Sequence, residues 1–267
     1  MSFRFLRIAL LLGALALTLG FTWGESHLVR SWLGPLEVSI YPINGDGSEA
    51  ADQYIRGLRP EDFAEINSFL QNQAYKYGVR LKPALDIGLQ PELQEPPPAP
   101  PHDRSVLKTI IWSLKLRWWV YQHSSSYMPQ LGCIRLYVVY HEAEEGEVLD
   151  HSLGLQKGLI GVVHAFASKT QQDQNNVVIA HELLHTLGAT DKYDLMTNMP
   201  INPEGYAEPD RVPLLPQHEA EIMAGRVPLS EGRAVMPRNL GECVIGSATA
   251  YEINFGGGAA NQFKAGK

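Results

Sequence analysis

The sequence predicts an α/β (α+β) domain: a mixed, twisted sheet, one helix that carries the reactive side chains, and an irregular C-terminal subdomain. Three observations carry this prediction. Runs rich in β-branched and aromatic residues alternate with runs of helical periodicity as far as residue 187. One helical run, Val177 to Leu187, holds two histidines four residues apart. Beyond it the chain shows no sustained period and is dense in proline and glycine.

Leu36 to Ile43 is rich in β-formers and runs into Asn44-Gly45-Asp46-Gly47, a turn cluster, so it reads as a first strand. Residues 60–77 read as a helix, with Pro60 at its start, Phe63, Ile66, Phe69 and Leu70 at helical spacing, and Gly78 as C-cap. Val79 to Leu89 alternates over its first half and predicts a second strand. Residues 91–101 are proline-rich, a stiff surface insertion with no core of its own. A helix over 104–122 follows, with Trp112, Trp118 and Trp119 read as packing residues. Ile134 to Tyr140 and Leu159 to Ala167 are further strands, separated by a solvated acidic loop around Glu142, Glu144, Glu145 and Glu147. The domain is expected to span 30–255, with a disordered tail over 256–267.

Two features concern location. Arg4 and Arg7 precede an uncharged apolar run, Ile8 to Trp23, so residues 1–24 read as an N-terminal membrane anchor or a signal segment. No small-x-small cleavage site follows, which favours the uncleaved anchor. Either way the expectation is a domain outside the cytoplasm, tethered to the membrane or secreted. Cys133 and Cys243 are the two cysteines; whether they pair is open, and no Cys-x-x-Cys suggests a thiolate metal site. The net charge of −7 gives no reason to expect nucleic acid as a partner.

The chemistry concentrates on His181-Glu182-Leu183-Leu184-His185. Histidines four apart share one face of a helix and can ligate one Zn²⁺. Glu182, beside the first histidine, can take a proton from a metal-bound water without having to ligate. Five residues in this pattern arise by chance in roughly 2% of such chains; adding Gly188 and Asp191 lowers that to about one in ten thousand. Gly188 can adopt positive φ and turn the chain back toward the site, which a continuing helix cannot do.

The run His181 to Asp191 resembles the metzincin signature, in the variant with Asp in place of the usual third His. The resemblance implies a metzincin-like zincin catalytic domain and a zinc metalloendopeptidase acting on protein or peptide substrates. It implies zinc bound by His181, His185 and Asp191, with Glu182 as general base. It implies a methionine turn beneath the metal, best matched by Met223, with Met196 and Met236 as competitors. It also casts the strand Leu159 to Ala167 as the edge strand that holds extended peptide. Tyr193 reads as a donor to the transition state or as packing, and Asp194 as a rival or support for Asp191. Glu219 or Glu221 as third ligand would instead make a gluzincin-like site. His164 is expected beside the cleft, and His141, His151 and His218 on the surface. The alternative from another class is a non-catalytic, zinc-stabilised envelope protein that binds partners.

Overall fold

In the computed structural model the described residues are 3–101, 105–123, 132–142, 153–155 and 159–256. Five strands form one sheet: β1 (Leu36–Asn44), β2 (Leu85–Leu89), β3 (Ile134–His141), β4 (Leu153–Leu155) and β5 (Ile160–Phe166). Their order is β2-β1-β3-β5-β4. The first four in that order run parallel, and β4 pairs antiparallel with β5. The sheet is therefore mixed, as expected, but its edge is not where the sequence put it. Leu153, Gly154 and Leu155 cover Val162, Gly161 and Ile160, so β4 and not β5 is the edge strand there.

The sheet is covered on both faces. On one side Leu136, Val138, Tyr140 and Val163 pack with α2 (Glu49–Arg56), α3 (Ala64–Lys76) and α5 (Gln172–Thr186). On the other, Tyr41, Ile43, Tyr137 and Val139 pack against Trp112, Leu116 and Trp119 of α4 (Val106–His123). A buried side chain of this size stabilises the fold by about 1.5–3 kcal/mol. Sandwiching explains why the central strands read as nearly continuous apolar runs.

Two boundaries and one helix differ from the sequence reading. The second strand begins at Leu85, not Val79. Pro83 has no amide to give a ladder, and Asn67 Oδ1 takes the amides of Ala84 (3.1 Å) and Leu85 (2.9 Å) instead. Helix α2 was not anticipated, although Ser48 caps it (Ala51 N to Ser48 Oγ, 3.1 Å) and Ala51, Tyr54 and Ile55 form its buried face. Helix α5 starts at Gln172, a turn before Val177. Its buried first turn is polar: Asn175 bonds both N and O of Phe166, and Asn176 Nδ2 donates to the Asp62 carbonyl. Apolar periodicity carries no trace of such a turn.

The expectation of a membrane anchor is corrected. Among the described residues no helix is long and apolar enough to cross a membrane. Helix α1 (Phe3–Val29) carries the apolar run but continues through Glu25, Ser26 and His27, and the chain leaving it is fastened to the domain. Val29 and Trp32 are buried in the core, Trp32 Nε1 donates to the Ile253 carbonyl (2.8 Å), and Asn254 Nδ2 donates to the Arg30 carbonyl (2.7 Å). The membrane partner and the membrane-anchored location expected from residues 1–24 go with that correction.

After α5 the chain is largely irregular. Its described residues form the short strands β6 (Ala220–Glu221), β7 (Val227–Ser230), β8 (Arg233–Val235) and β9 (Cys243–Val244), helix α6 (Ser247–Glu252), and two single helical turns at Ile222–Ala224 and Leu240–Glu242. Cys133 and Cys243 are both buried free thiols, which settles the open pairing. The proline-rich 91–101 segment lies along the domain: Leu93 bridges Ile43, and Trp112 Nε1 donates to the Pro98 carbonyl (2.7 Å). Glu144, Glu145, Glu147, His151 and the tail beyond residue 256 lie outside the described residues.

Candidate metal centre

Helix α5 ends in a turn that builds half of the site. Leu187 is the C-cap, and Gly188 follows at φ +102°. The Gly188 amide donates to the His185 carbonyl (3.0 Å) and the Ala189 amide to the Leu184 carbonyl (3.1 Å). This is the Schellman pair of bonds, and it needs a residue that tolerates positive φ at Gly188. The reversal brings the Ala189 carbonyl back to His185 Nδ1, at 2.8 Å. It also delivers Asp191 to the face of α5 that holds both histidines.

There the donor atoms meet. His181 Nε2 and His185 Nε2 are 3.1 Å apart, and Asp191 Oδ1 lies 3.2 Å from the first and 3.1 Å from the second. Ligand atoms about 2.0 Å from a tetrahedral centre are separated by about 3.3 Å, so this triangle has the size of one face of a zinc site. The outer nitrogens decide the tautomers. His181 Nδ1 donates to the Ile222 carbonyl (2.9 Å) and His185 Nδ1 to the Ala189 carbonyl. A carbonyl can only accept, so each Nδ1 carries a hydrogen and each neutral ring turns a lone pair inward. Two lone pairs and a carboxylate oxygen facing one another at this distance repel unless a cation or a proton sits between them.

The electrostatics agree. Burial alone would raise the Asp191 carboxyl, but hydrogen bonding and charge from His181 and His185 hold it well below the usual carboxylate range. Burial depresses His181, and Asp191, Glu182 and the Ile222 carbonyl together outweigh it, leaving the imidazole raised. Glu182 is buried, and its carboxylate joins the two imidazoles in a group whose ligand atoms all lie within 4.8 Å of one another. It thus borders the triangle, whereas Asp191 closes it.

The other candidate residues fall around this centre. Met223 is fully buried in the tight turn Ile222–Ala224, whose first carbonyl orients His181. The Lys192 amide donates to the Met223 carbonyl (2.9 Å), so the turn and the Asp191 loop are joined directly. Met196 and Met236 are exposed. Tyr193 interacts with Asp191, and burial, then the charges of Asp191 and Glu182, push its phenol up to about 12. Asp194 points elsewhere: its Oδ1 accepts from Met196 N, Thr197 N and Thr197 Oγ1, closing a hairpin.

The glutamate alternative is answered by the surroundings of Glu221. That side chain is fully buried, with Oε2 accepting from the Met223 and Ala224 amides and Oε1 from the Gly246 amide and Thr249 Oγ1. Its oxygens are committed to holding the turn. Glu219 does not belong to the histidine group among the described residues. His164 and His141 form a separate pair on the other face of the sheet (Nδ1 to Nε2, 3.0 Å), so His141 is not the lone surface histidine expected. His218 is exposed beside Glu208.

Sequence reasoning missed the clamp on the Asp191 loop. Lys192 Nζ is buried and reaches both oxygens of Glu252 (2.8 Å each), the Thr190 carbonyl (3.0 Å) and Thr190 Oγ1 (2.6 Å). The Thr190 amide donates to the same carboxylate (2.9 Å). The residue before Asp191 and the residue after it are therefore both tied to α6. Sixty positions separate Lys192 from Glu252, so no spacing pattern could have signalled the pair.

No family model matches the chain, and no curated protein matches it. Among solved structures, the crystal structure of wild-type OgpA from Akkermansia muciniphila is similar over 81% of this chain, at 13% identity and a TM-score of 0.41. The chain spans 58% of that protein's length. A likeness at this level carries no argument about what the chain does.

Proposed function

We propose that this chain is a zinc-dependent peptidase. The observation that carries the reading is the triangle of His181 Nε2, His185 Nε2 and Asp191 Oδ1, 3.1–3.2 Å on each side, with both Nδ1 hydrogens held outward by carbonyls. Three nitrogen and oxygen ligands with an open fourth position suit a catalytic zinc better than a closed structural one. The resemblance of the run His181 to Asp191 to the metzincin signature supports the same reading.

Zinc in such a site supplies an acidified water and polarises a carbonyl. The remaining work falls to this chain's residues. Glu182, buried at the edge of the triangle, accepts the proton of the attacking water on its carboxylate and passes it to the amide nitrogen that leaves. Tyr193, whose raised phenol stays protonated at neutral pH, donates to the oxyanion. The carbonyls of Ile222 and Ala189 keep the imidazoles in the tautomer that offers Nε2.

The test is zinc content and peptide cleavage of the full chain beside Asp191→Ala, Glu219→Ala and Glu182→Gln. The expected result is one zinc per chain, weakened by Asp191→Ala but not Glu219→Ala, and cleavage lost in Glu182→Gln with zinc retained. Zinc binding with no cleavage of any peptide by the wild type would favour the non-catalytic, zinc-stabilised binding protein. A folded wild type without zinc affinity would overturn the reading.

A further inference from the structure

One carboxylate grips both neighbours of Asp191. The Glu252 side chain accepts from the Thr190 amide (2.9 Å), from Thr190 Oγ1 (2.7 Å) and from Lys192 Nζ (2.8 Å to each oxygen). The backbone of Asp191 lies between these two held residues and is confined with them. Such a grip is only as firm as the backbone that carries it. Glu252 is the last residue of α6, a six-residue helix whose N-cap, Gly246, supplies no side-chain bond. A helix this short does not hold itself, and its last carbonyls have no partner within it.

The fixing contacts come from the chain that leaves α1. Arg30 Nη2 donates to the Glu252 carbonyl, which gives a terminal carbonyl of α6 its partner and sets a cation at the negative end of the helix. Trp32 Nε1 donates to the Ile253 carbonyl (2.8 Å) and Asn254 Nδ2 to the Arg30 carbonyl (2.7 Å). The Trp32 ring packs on Phe255 with centroids 4.6 Å apart. Each of the four residues from Glu252 to Phe255 thus meets Arg30 or Trp32. Trp32 does this at φ +51° and Asn254 at φ +62°. For a side chain as bulky as Trp32 that conformation is costly, and it persists only where the surroundings over-determine it.

We infer that Arg30 and Glu252 are positioning residues for Asp191. The segment leaving α1 fixes the end of α6, and α6 fixes the loop that closes the donor triangle. A displacement of residues 30–32 is therefore felt at the metal centre, which gives that site a regulatory input from the N-terminal side. The inference rests on the zinc reading, and its test separates the two.

The experiment is a competitive zinc titration of the full chain, with urea denaturation alongside, for the wild type, Arg30→Ala, Arg30→Lys, Glu252→Ala and the Arg30→Ala/Glu252→Ala double variant. Val120→Ala serves as control, a destabilising change on α4 across the sheet from α5. Arg30→Ala and Glu252→Ala should each weaken zinc binding by at least about fivefold. Arg30→Lys keeps a cationic donor for the carbonyl and should recover most of that loss. The double variant should bind no more weakly than Glu252→Ala alone, because both changes break one chain of contacts. Val120→Ala should lower the urea midpoint and leave zinc affinity as it was. Unchanged zinc affinity in Arg30→Ala, strictly additive losses in the double variant, or an equal loss in Val120→Ala would each overturn the inference and leave the zinc reading intact. A folded wild type that binds no zinc would overturn the zinc reading, and the inference with it.

Discussion

His185 is oriented by Ala189, the residue whose amide closes the helix on which His185 stands: the Ala189 amide caps the Leu184 carbonyl, and its own carbonyl accepts from His185 Nδ1 at 2.8 Å. Capping and imidazole orientation are thus one structure, hinged at Gly188 (φ +102°). Replacing Gly188 with Ala should destabilise the protein by about 1–2 kcal/mol, because a Cβ disfavours that conformation. It should also weaken zinc binding by displacing the Ala189 carbonyl. Urea denaturation and a competitive zinc titration read the two effects separately.

Asp191 closes the triangle of donor atoms, and in the proposed zinc site its loss should cost more than loss of an outer partner. Removing a partner that merely orients a ligand typically costs about 10–100-fold in affinity. Asp191→Ala is therefore expected to lose at least about 100-fold in zinc affinity. An unchanged dissociation constant would show that another group completes the site.

Tyr193→Phe separates donation from packing. If the phenol donates to the oxyanion, cleavage should fall about 100-fold while zinc affinity holds. Unaltered kcat would leave the ring as packing around Asp191.

Lys192 carries a buried ammonium whose neutraliser is Glu252. Lys192→Met keeps the bulk and removes the charge, leaving the carboxylate with only Thr190 from this cluster. The expected loss is about 3 kcal/mol, in line with breaking a buried pair from one side. Double substitution with Glu252→Gln should recover part of it, which a thermodynamic cycle can check.

Glu221 should give the fold a pH dependence. Burial raises its carboxyl above the usual 4.5, and the bonds from Thr249, Gly246 and Met223 do not fully offset that. The folded state then holds this proton more tightly than the unfolded chain. Its contribution is fully present below about pH 4.5 and is lost as pH rises through the raised folded value. The slope from one such group is at most about 1.4 kcal/mol per pH unit. Urea midpoints of wild type and Glu221→Gln, compared from pH 4 upward, should show the variant with the flatter profile.

Legibility in the sequence followed the physical range of each signal. The strands at Leu36, Ile134 and Ile160 were readable because β-rich runs bounded by turns are local patterns. Helix α4 was readable for the same reason, and so was the meeting of His181 and His185, which α5 imposes at four-residue spacing. The first turn of α5 was not, since Asn175 and Asn176 are buried through bonds to Phe166 and Asp62, which periodicity cannot express. The edge strand was misplaced because Leu153–Leu155 is only three residues long, too short for an alternation to register.

By itself the sequence determined the helix with its two histidines, the glycine that ends it, and the acid Asp191 placed to return. These are consequences of local backbone geometry, and local geometry is written residue by residue. Tertiary structure alone decided that Asp191 closes the triangle, that Glu221 is bound into the Met223 turn, and that Lys192 and Glu252 hold the loop between them. Those outcomes depend on which distant atoms become neighbours once the sheet and its two covering layers bury their apolar faces. That choice is made by packing, and no stretch of sequence contains it.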